Sequence, residues 1–190
     1  MQADAEKTEV IAYGAEILYG AIFKFVVIVG LALLTSSLWT TCISFVAYAG
    51  FRLFGGGVHA QAYWKCLTIG TIMLVGMGNL AKFAVGSTIL VLLALFALFL
   101  GLWTIIVWVP AGTEKKTVTD FETRNRIKMQ AVFFMTGWAI ITLTLTLLRL
   151  NNYALASILG VLGAQFMVTP WGYRTIEVLD NILSGLERRC

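Results

Sequence analysis

A chain of 190 residues that is 59% hydrophobic and only 13% charged lies outside the balance of soluble globular domains. Its net charge of +4 does not indicate nucleic acid, because most Lys and Arg residues flank hydrophobic segments, where lipid headgroups and topology account for them. The cysteines Cys42, Cys66 and Cys190 are odd in number and irregular in spacing, which supports neither a disulfide framework nor a zinc site, so no metal or cofactor is expected.

In chain order, Asp4, Glu6, Lys7, Glu9 and Glu16 come before the first hydrophobic run. That is not the short basic start of a cleaved signal peptide, so the run is read as a retained helix. Six hydrophobic segments follow, at 17–34, 38–51, 67–81, 85–109, 131–148 and 150–169. The fourth carries no charge, and about 18 apolar residues are enough to cross a hydrocarbon core of roughly 30 Å. Lipid holds no water to satisfy backbone groups, so helices are the natural form. The second and third segments are short for a full crossing, which leaves tilt or a re-entrant path open. In the tail after Pro170, Ile176, Leu179, Ile182, Leu183 and Leu186 recur at helical spacing between polar positions such as Glu177, Asp180 and Glu187. It reads as an amphipathic helix on the inner membrane surface. The expectation is an all-α, polytopic integral membrane protein, residues 1–190 forming one membrane-embedded domain. It has six transmembrane or partly re-entrant helices, with amphipathic helices at its ends.

With six spans, the N-terminus, 52–65, the loop 110–128 and the C-terminal tail share one face. That face holds Lys7, Arg52, Lys65, Lys115, Lys116, Arg124, Arg126, Lys128, Arg174, Arg188 and Arg189, and the other only Lys82 and Arg149. The positive-inside rule makes the first face cytoplasmic, in a multi-pass protein of the cell membrane with both termini inside. Lys24 lies within the first run and must snorkel, pair or face a polar interior.

The single histidine, His59, ends the stretch Arg52-Leu-Phe-Gly-Gly-Gly-Val-His59 and is followed by Ala60, with Cys66 seven residues on. Cysteine attacks as its thiolate, a form that a neighbouring imidazole or a helix N-terminus helps to populate. Along a continuous helix the pair would stand about 10.5 Å apart at 1.5 Å per residue, too far for a dyad. The helix must therefore begin after His59 or break, and Gly55, Gly56 and Gly57 permit the path, since glycine tolerates positive φ. The N–H groups of Gly56 and Gly57, or the Gln61 side chain, are candidates to stabilise an oxyanion during acyl transfer. Against this stands the plain reading, in which the histidine is an interfacial polar residue and the cysteine a small hydrophobe. Clustered lysines at Lys115 and Lys116, followed by Arg124, Arg126 and Lys128, serve topology or attract an acidic peptide segment.

These residues resemble the AgrB family, the accessory gene regulator proteins of Gram-positive quorum sensing. The resemblance rests on Arg52, Gly55-Gly56, His59-Ala60 and Cys66, on Pro110-Ala111 followed by Lys115-Lys116, and on size and hydropathy over nearly the whole chain. Thr117 follows the lysines where family members often carry proline. The resemblance implies a membrane cysteine endopeptidase that cleaves the C-terminal part from an AgrD-like autoinducer propeptide. Cys66 would be the nucleophile that forms a thioester, and His59 the base. Attack by an internal cysteine or serine of the peptide would then release a thiolactone or lactone. Arg52, Lys115 and Lys116 are the candidate substrate contacts, and the dyad would lie on the cytoplasmic side of the bilayer. A homodimer is implied by the resemblance alone. The alternatives are a small membrane transporter, with Lys24, Asn79, Arg149 and Asn151 along a pathway, and a non-catalytic peptide-binding scaffold.

Overall fold

The computed structural model describes residues 2–58, 62–111 and 121–187. They form α1 (Gln2–Leu34), α2 (Leu38–Gly55), α3 (Tyr63–Leu80), α4 (Ser87–Val107), α5 (Phe121–Leu147), α6 (Asn151–Val168) and α7 (Pro170–Glu187). Among the described residues there is no β-strand, only an isolated parallel bridge between Gly56 and Ala111. The expected all-α class is what the chain adopts.

Two helices, α4 and α5, are long and apolar enough to cross a membrane by themselves. A third candidate is the pair α6 and α7, which qualify together by length and composition but bend by 84° at their junction, as a broken span or a re-entrant loop does. The apolar part of α1, Leu18–Leu34, is shorter. At 18 residues each, α2 and α3 are about 27 Å long. Arg52, Thr40, Thr41 and Ser44 dilute the apolar character of α2, as Lys65 and Asn79 do for α3. Length and composition thus mark two to three candidate spans among the described helices.

The helix α6 is the centre of the bundle, with Ala154, Ala156, Ile158, Val161, Ala164 and Val168 among its buried residues. Without a hydrophobic drive between helices in lipid, close backbone approach and interhelical hydrogen bonds hold such a bundle. Both occur where α2 crosses α6. A Cβ on Gly160 would lie 2.3 Å from the Ser44 carbonyl oxygen, and the Ser44 hydroxyl donates to the Ala156 carbonyl at 2.9 Å. Trp138 Nε1 donates to the Ser157 hydroxyl at 2.7 Å, and Gln165 Nε2 to the Ala97 carbonyl at 2.9 Å, tying α5 and α4 to the same helix. Outward, Leu92, Phe96 and Phe99 of α4 and Phe133 and Ile140 of α5 are exposed, an apolar surface suited to lipid.

Hydrogen bonds sort the connections into two ends. At one end, Asn79 Nδ2 donates to the hydroxyls of Thr35 (3.1 Å) and Ser37 (3.2 Å), Lys82 donates to the Thr35 carbonyl, and Asn151 Nδ2 donates to the Val85 carbonyl at 3.0 Å. At the other, the Val58 N–H donates to the Met167 carbonyl at 3.2 Å, and Gly55 and Gly57 bond to Ala111.

The tail is the amphipathic helix expected. Pro170 opens it, a favoured first helical position because proline has no N–H to orphan. Ile176 is buried and Glu177 exposed. Asp180 departs from its expected polar, outward role: it is buried and forms an ion pair with Lys65 at 3.8 Å. Lys65 also donates to the Asp180 carbonyl (3.2 Å) and the Ser184 hydroxyl (2.6 Å), so α7 is docked on α3 by polar contacts rather than apolar ones alone.

Candidate active site at the head of α3

Helix α3 begins at Tyr63, after His59, which meets the geometric condition set by the seven-residue spacing. Cys66 lies in its first turn, its N–H bonded to the Ala62 carbonyl at 3.1 Å, and its thiol is free and half-buried. The sulfur borders a cleft of about 320 Å³ lined by Lys24 of α1, Tyr48 and Arg52 of α2, Gly56, Val58 and Met167. Beyond Lys24 a second cavity, of about 200 Å³ and almost wholly apolar, lies between α1 and α2 and reaches Cys42.

Glycine chemistry builds the wall opposite the thiol. The chain leaves α2 with φ of 74° at Gly56 and 116° at Gly57, a region that L side chains rarely adopt. A Cβ at Gly56 would stand 2.4 Å from the Ala111 carbonyl oxygen, and one at Gly57 2.9 Å from that of Met167. The Ala111 N–H donates to the Gly55 carbonyl at 3.0 Å, and the Gly57 N–H to the Ala111 carbonyl at 3.4 Å. Pro110-Ala111 and the triple glycine, which the sequence separates by more than fifty residues, thus form one structure. The Gly56 N–H is bonded to the Arg52 carbonyl at 2.9 Å. Both glycine N–H groups are therefore engaged within the chain, and service to an oxyanion requires an exchange of partners.

Arg52 holds this loop from inside. Its Nε donates to the Gly56 carbonyl (3.2 Å), its Nη2 to the Val58 carbonyl (2.8 Å) and its Nη1 to the Tyr48 hydroxyl (2.7 Å). Val58 is the last described residue before His59. His59, Gln61, Lys115 and Lys116 lie outside the described residues, so of the site expected from sequence the structure brings together Cys66, Arg52, Gly56 and Gly57. It also adds two groups that sequence reasoning did not place there, Tyr48 and Lys24. Tyr48 precedes Arg52 by one helical turn, the spacing at which helical neighbours meet. Lys24 was visible as a charge within an apolar run, but its partner, Cys66, is 42 residues away.

Helices with apolar outer faces, enclosing at one end a half-buried thiol, two cations and a glycine-built loop, define a helical membrane protein with a thiol site. The chain belongs to the Accessory gene regulator B family, whose profile matches residues 1–169. It is 27% identical over 170 residues to an AgrB-like protein of Listeria innocua, covering 88% of this chain and 79% of that relative. It is 25% identical over 134 residues to the Accessory gene regulator protein B of Staphylococcus lugdunensis, 70% of this chain and 69% of that one. With the corresponding protein of Staphylococcus carnosus it shares 28% identity over 124 residues, 65% and 62% of the two chains. No solved structure matches the chain. The family is that of accessory gene regulator quorum sensing and is associated with autoinducer processing.

Proposed function

We propose that this chain is a membrane cysteine endopeptidase that removes the C-terminal part of an AgrD-like propeptide. The observation that carries the reading is the free, half-buried Cys66 sulfur at the head of α3, facing a cleft walled by the glycine loop and by Lys24 and Arg52. In this reading His59 takes the thiol proton and the sulfur attacks the scissile carbonyl. The tetrahedral adduct then collapses to a thioester as the peptide nitrogen leaves with the proton from His59. A thioester keeps the acyl group reactive, and a cleft set among apolar helices of a membrane protein disfavours its loss to water. An internal cysteine or serine of the peptide then attacks it and departs as a thiolactone or lactone, returning Cys66 to the thiol. Lys115 and Lys116 receive the acidic part of the substrate by charge attraction. The dyad works on the cytoplasmic side, where the propeptide is made, and the enzyme acts as a homodimer, as the family resemblance implies.

The test is to incubate the full chain in lipid with a candidate precursor and to follow it by intact-mass spectrometry. An acyl adduct on Cys66 is expected, lost in Cys66→Ala and not formed in His59→Ala, while both variants still insert into the membrane. Cleavage retained by Cys66→Ala would overturn the assignment and leave transport or peptide binding as the function.

A further inference from the structure

Lys24 is the only lysine in the apolar part of α1, and it does not reach outward. Its Nζ lies 3.6 Å from Cys66 Sγ and 3.4 Å from the Cys66 carbonyl oxygen, as donor to both. Two glycines bring the helices close enough for this contact. Gly20 of α1 lies under Tyr63, whose ring would meet a Cβ there at 2.9 Å and whose hydroxyl donates to the Gly20 carbonyl. On α3, a Cβ at Gly70 would stand 2.9 Å from Lys24 Nζ, so the absent side chain there is the space the ammonium occupies. Among the described residues no carboxylate pairs with Lys24, and a part-buried ammonium is costly unless its charge is used or compensated. Arg52 shares the cleft, but its guanidinium is turned to Tyr48, Gly56 and Val58. Among the described residues, the positive charge in contact with the sulfur is Lys24.

We propose that Lys24 is a catalytic residue of the same site, holding the negative charge of the attacking Cys66 sulfur and then that of the scissile carbonyl oxygen. The role rests on the endopeptidase reading above. When the base removes the thiol proton, the sulfur is left anionic against the ammonium. As the S–C bond forms, the C=O π pair passes to oxygen, within reach of the same N–H donors. When the C–N bond breaks, the base returns the proton to the leaving amine. Lys24 keeps its three protons throughout and acts by charge placed before reaction begins, which costs no reorganisation during it.

The experiment compares two thiol reagents of opposite charge on the full chain in lipid nanodiscs. Sulfonatoethyl and trimethylammonioethyl methanethiosulfonate form the same mixed disulfide linkage, and the rate at Cys66 is read by peptide mass spectrometry. Their rate ratio reports local potential, because changes in packing or in thiol reactivity move both rates together. The anionic reagent is expected to be favoured in the wild type. In Lys24→Gln the anion-to-cation ratio should fall about tenfold or more, as loss of a unit charge within a few ångströms implies. In Lys24→Arg the ratio should be kept. An unchanged ratio in Lys24→Gln overturns the proposal. With a cleavable precursor, Lys24→Gln should lose about a hundredfold in kcat with KM nearly unchanged, and full retention of kcat also overturns it. A ratio that falls while the wild type cleaves no precursor condemns the endopeptidase reading, and the catalytic role with it, and leaves only the ion contact.

Discussion

Gly56 and Ala111 form a parallel bridge in which the glycine backbone, at φ of 74°, passes so close to the Ala111 carbonyl that a Cβ would lie 2.4 Å from its oxygen. Alanine at 56 meets both an unfavourable dihedral and a backbone atom that cannot swing away. Gly56→Ala should therefore cost about 2 kcal/mol or more of stability and displace the wall of the Cys66 cleft. Gly76 is the control, because it lies within α3 with open space where a Cβ would stand. Gly76→Ala should leave activity intact and stabilise by about 0.5–1 kcal/mol. Thermal unfolding in detergent, with precursor cleavage alongside, distinguishes the two. Equal behaviour of both variants would mean that the bridge does not shape the site.

The helical class, the apolar segments and the break between His59 and Cys66 were legible because they rest on local signals, namely composition, periodicity and consecutive glycines. The amphipathic tail was legible for the same reason, with one error. Its charge places Asp180 on the wet face, whereas in the structure it turns inward and pairs with Lys65. Pairings of this kind were not legible: Lys24 with Cys66, Gly55 with Ala111 and Lys65 with Asp180 each join helices or loops far apart in sequence. Nothing local in either partner records the other. The number of spans is legible only in part: α4 and α5 qualify as spans by length and composition, whereas Arg52, Lys65 and the hydroxyls lower the hydropathy of α2 and α3, and whether these cross depends on how the bundle satisfies them.

The Lys65 and Asp180 side chains are each 7% exposed, so their pair carries α7 in a setting where a lone charge is poorly solvated. Removing one partner of such a pair costs about 3–5 kcal/mol, whereas replacing both with apolar residues is often nearly neutral. Asp180→Leu and Lys65→Met should each loosen α7, seen as faster proteolysis within the tail and a lower Tm, and the double variant should recover most of the loss. A double variant as unstable as the sum of the single ones would show that the two charges act independently. Because Lys65 precedes Cys66, the single variants should also slow cleavage.

Arg52 fixes the loop that leads to His59 through carbonyls of Gly56 and Val58, a geometry that depends on several rigidly spaced donors. Lysine keeps the charge but not that fork. Arg52→Lys is therefore expected to lower kcat by about tenfold or more with little change in KM, because the loop loses its hold while the positive charge remains. Tyr48→Phe removes one acceptor from the same guanidinium and should give a smaller loss of the same kind. Steady-state cleavage of a precursor peptide checks both. A rise in KM alone would instead assign Arg52 to direct substrate contact.

The two ends of the bundle make a prediction about sidedness. Thr35, Asn79, Lys82, Val85 and Asn151 are tied together at one end, and Gly55, Gly57, Val58, Ala111 and Met167 at the other. Basic residues are sparse at the first end, where Lys82 and Arg149 stand, and dense toward the second, which includes Lys65, Lys128 and Arg174. By the positive-inside rule the Cys66 end is expected in the cytoplasm and the Lys82 end outside. Lys82→Cys and Arg149→Cys should react with a membrane-impermeant maleimide on intact cells, and Arg126→Cys and Arg174→Cys only after the cells are opened. Site-resolved mass spectrometry separates these thiols from the native cysteines. Labelling of Lys82→Cys and Arg126→Cys from the same side would mean that the bundle does not cross the membrane end to end. A cytoplasmic propeptide would then reach Cys66 by some route other than the open end of the cleft.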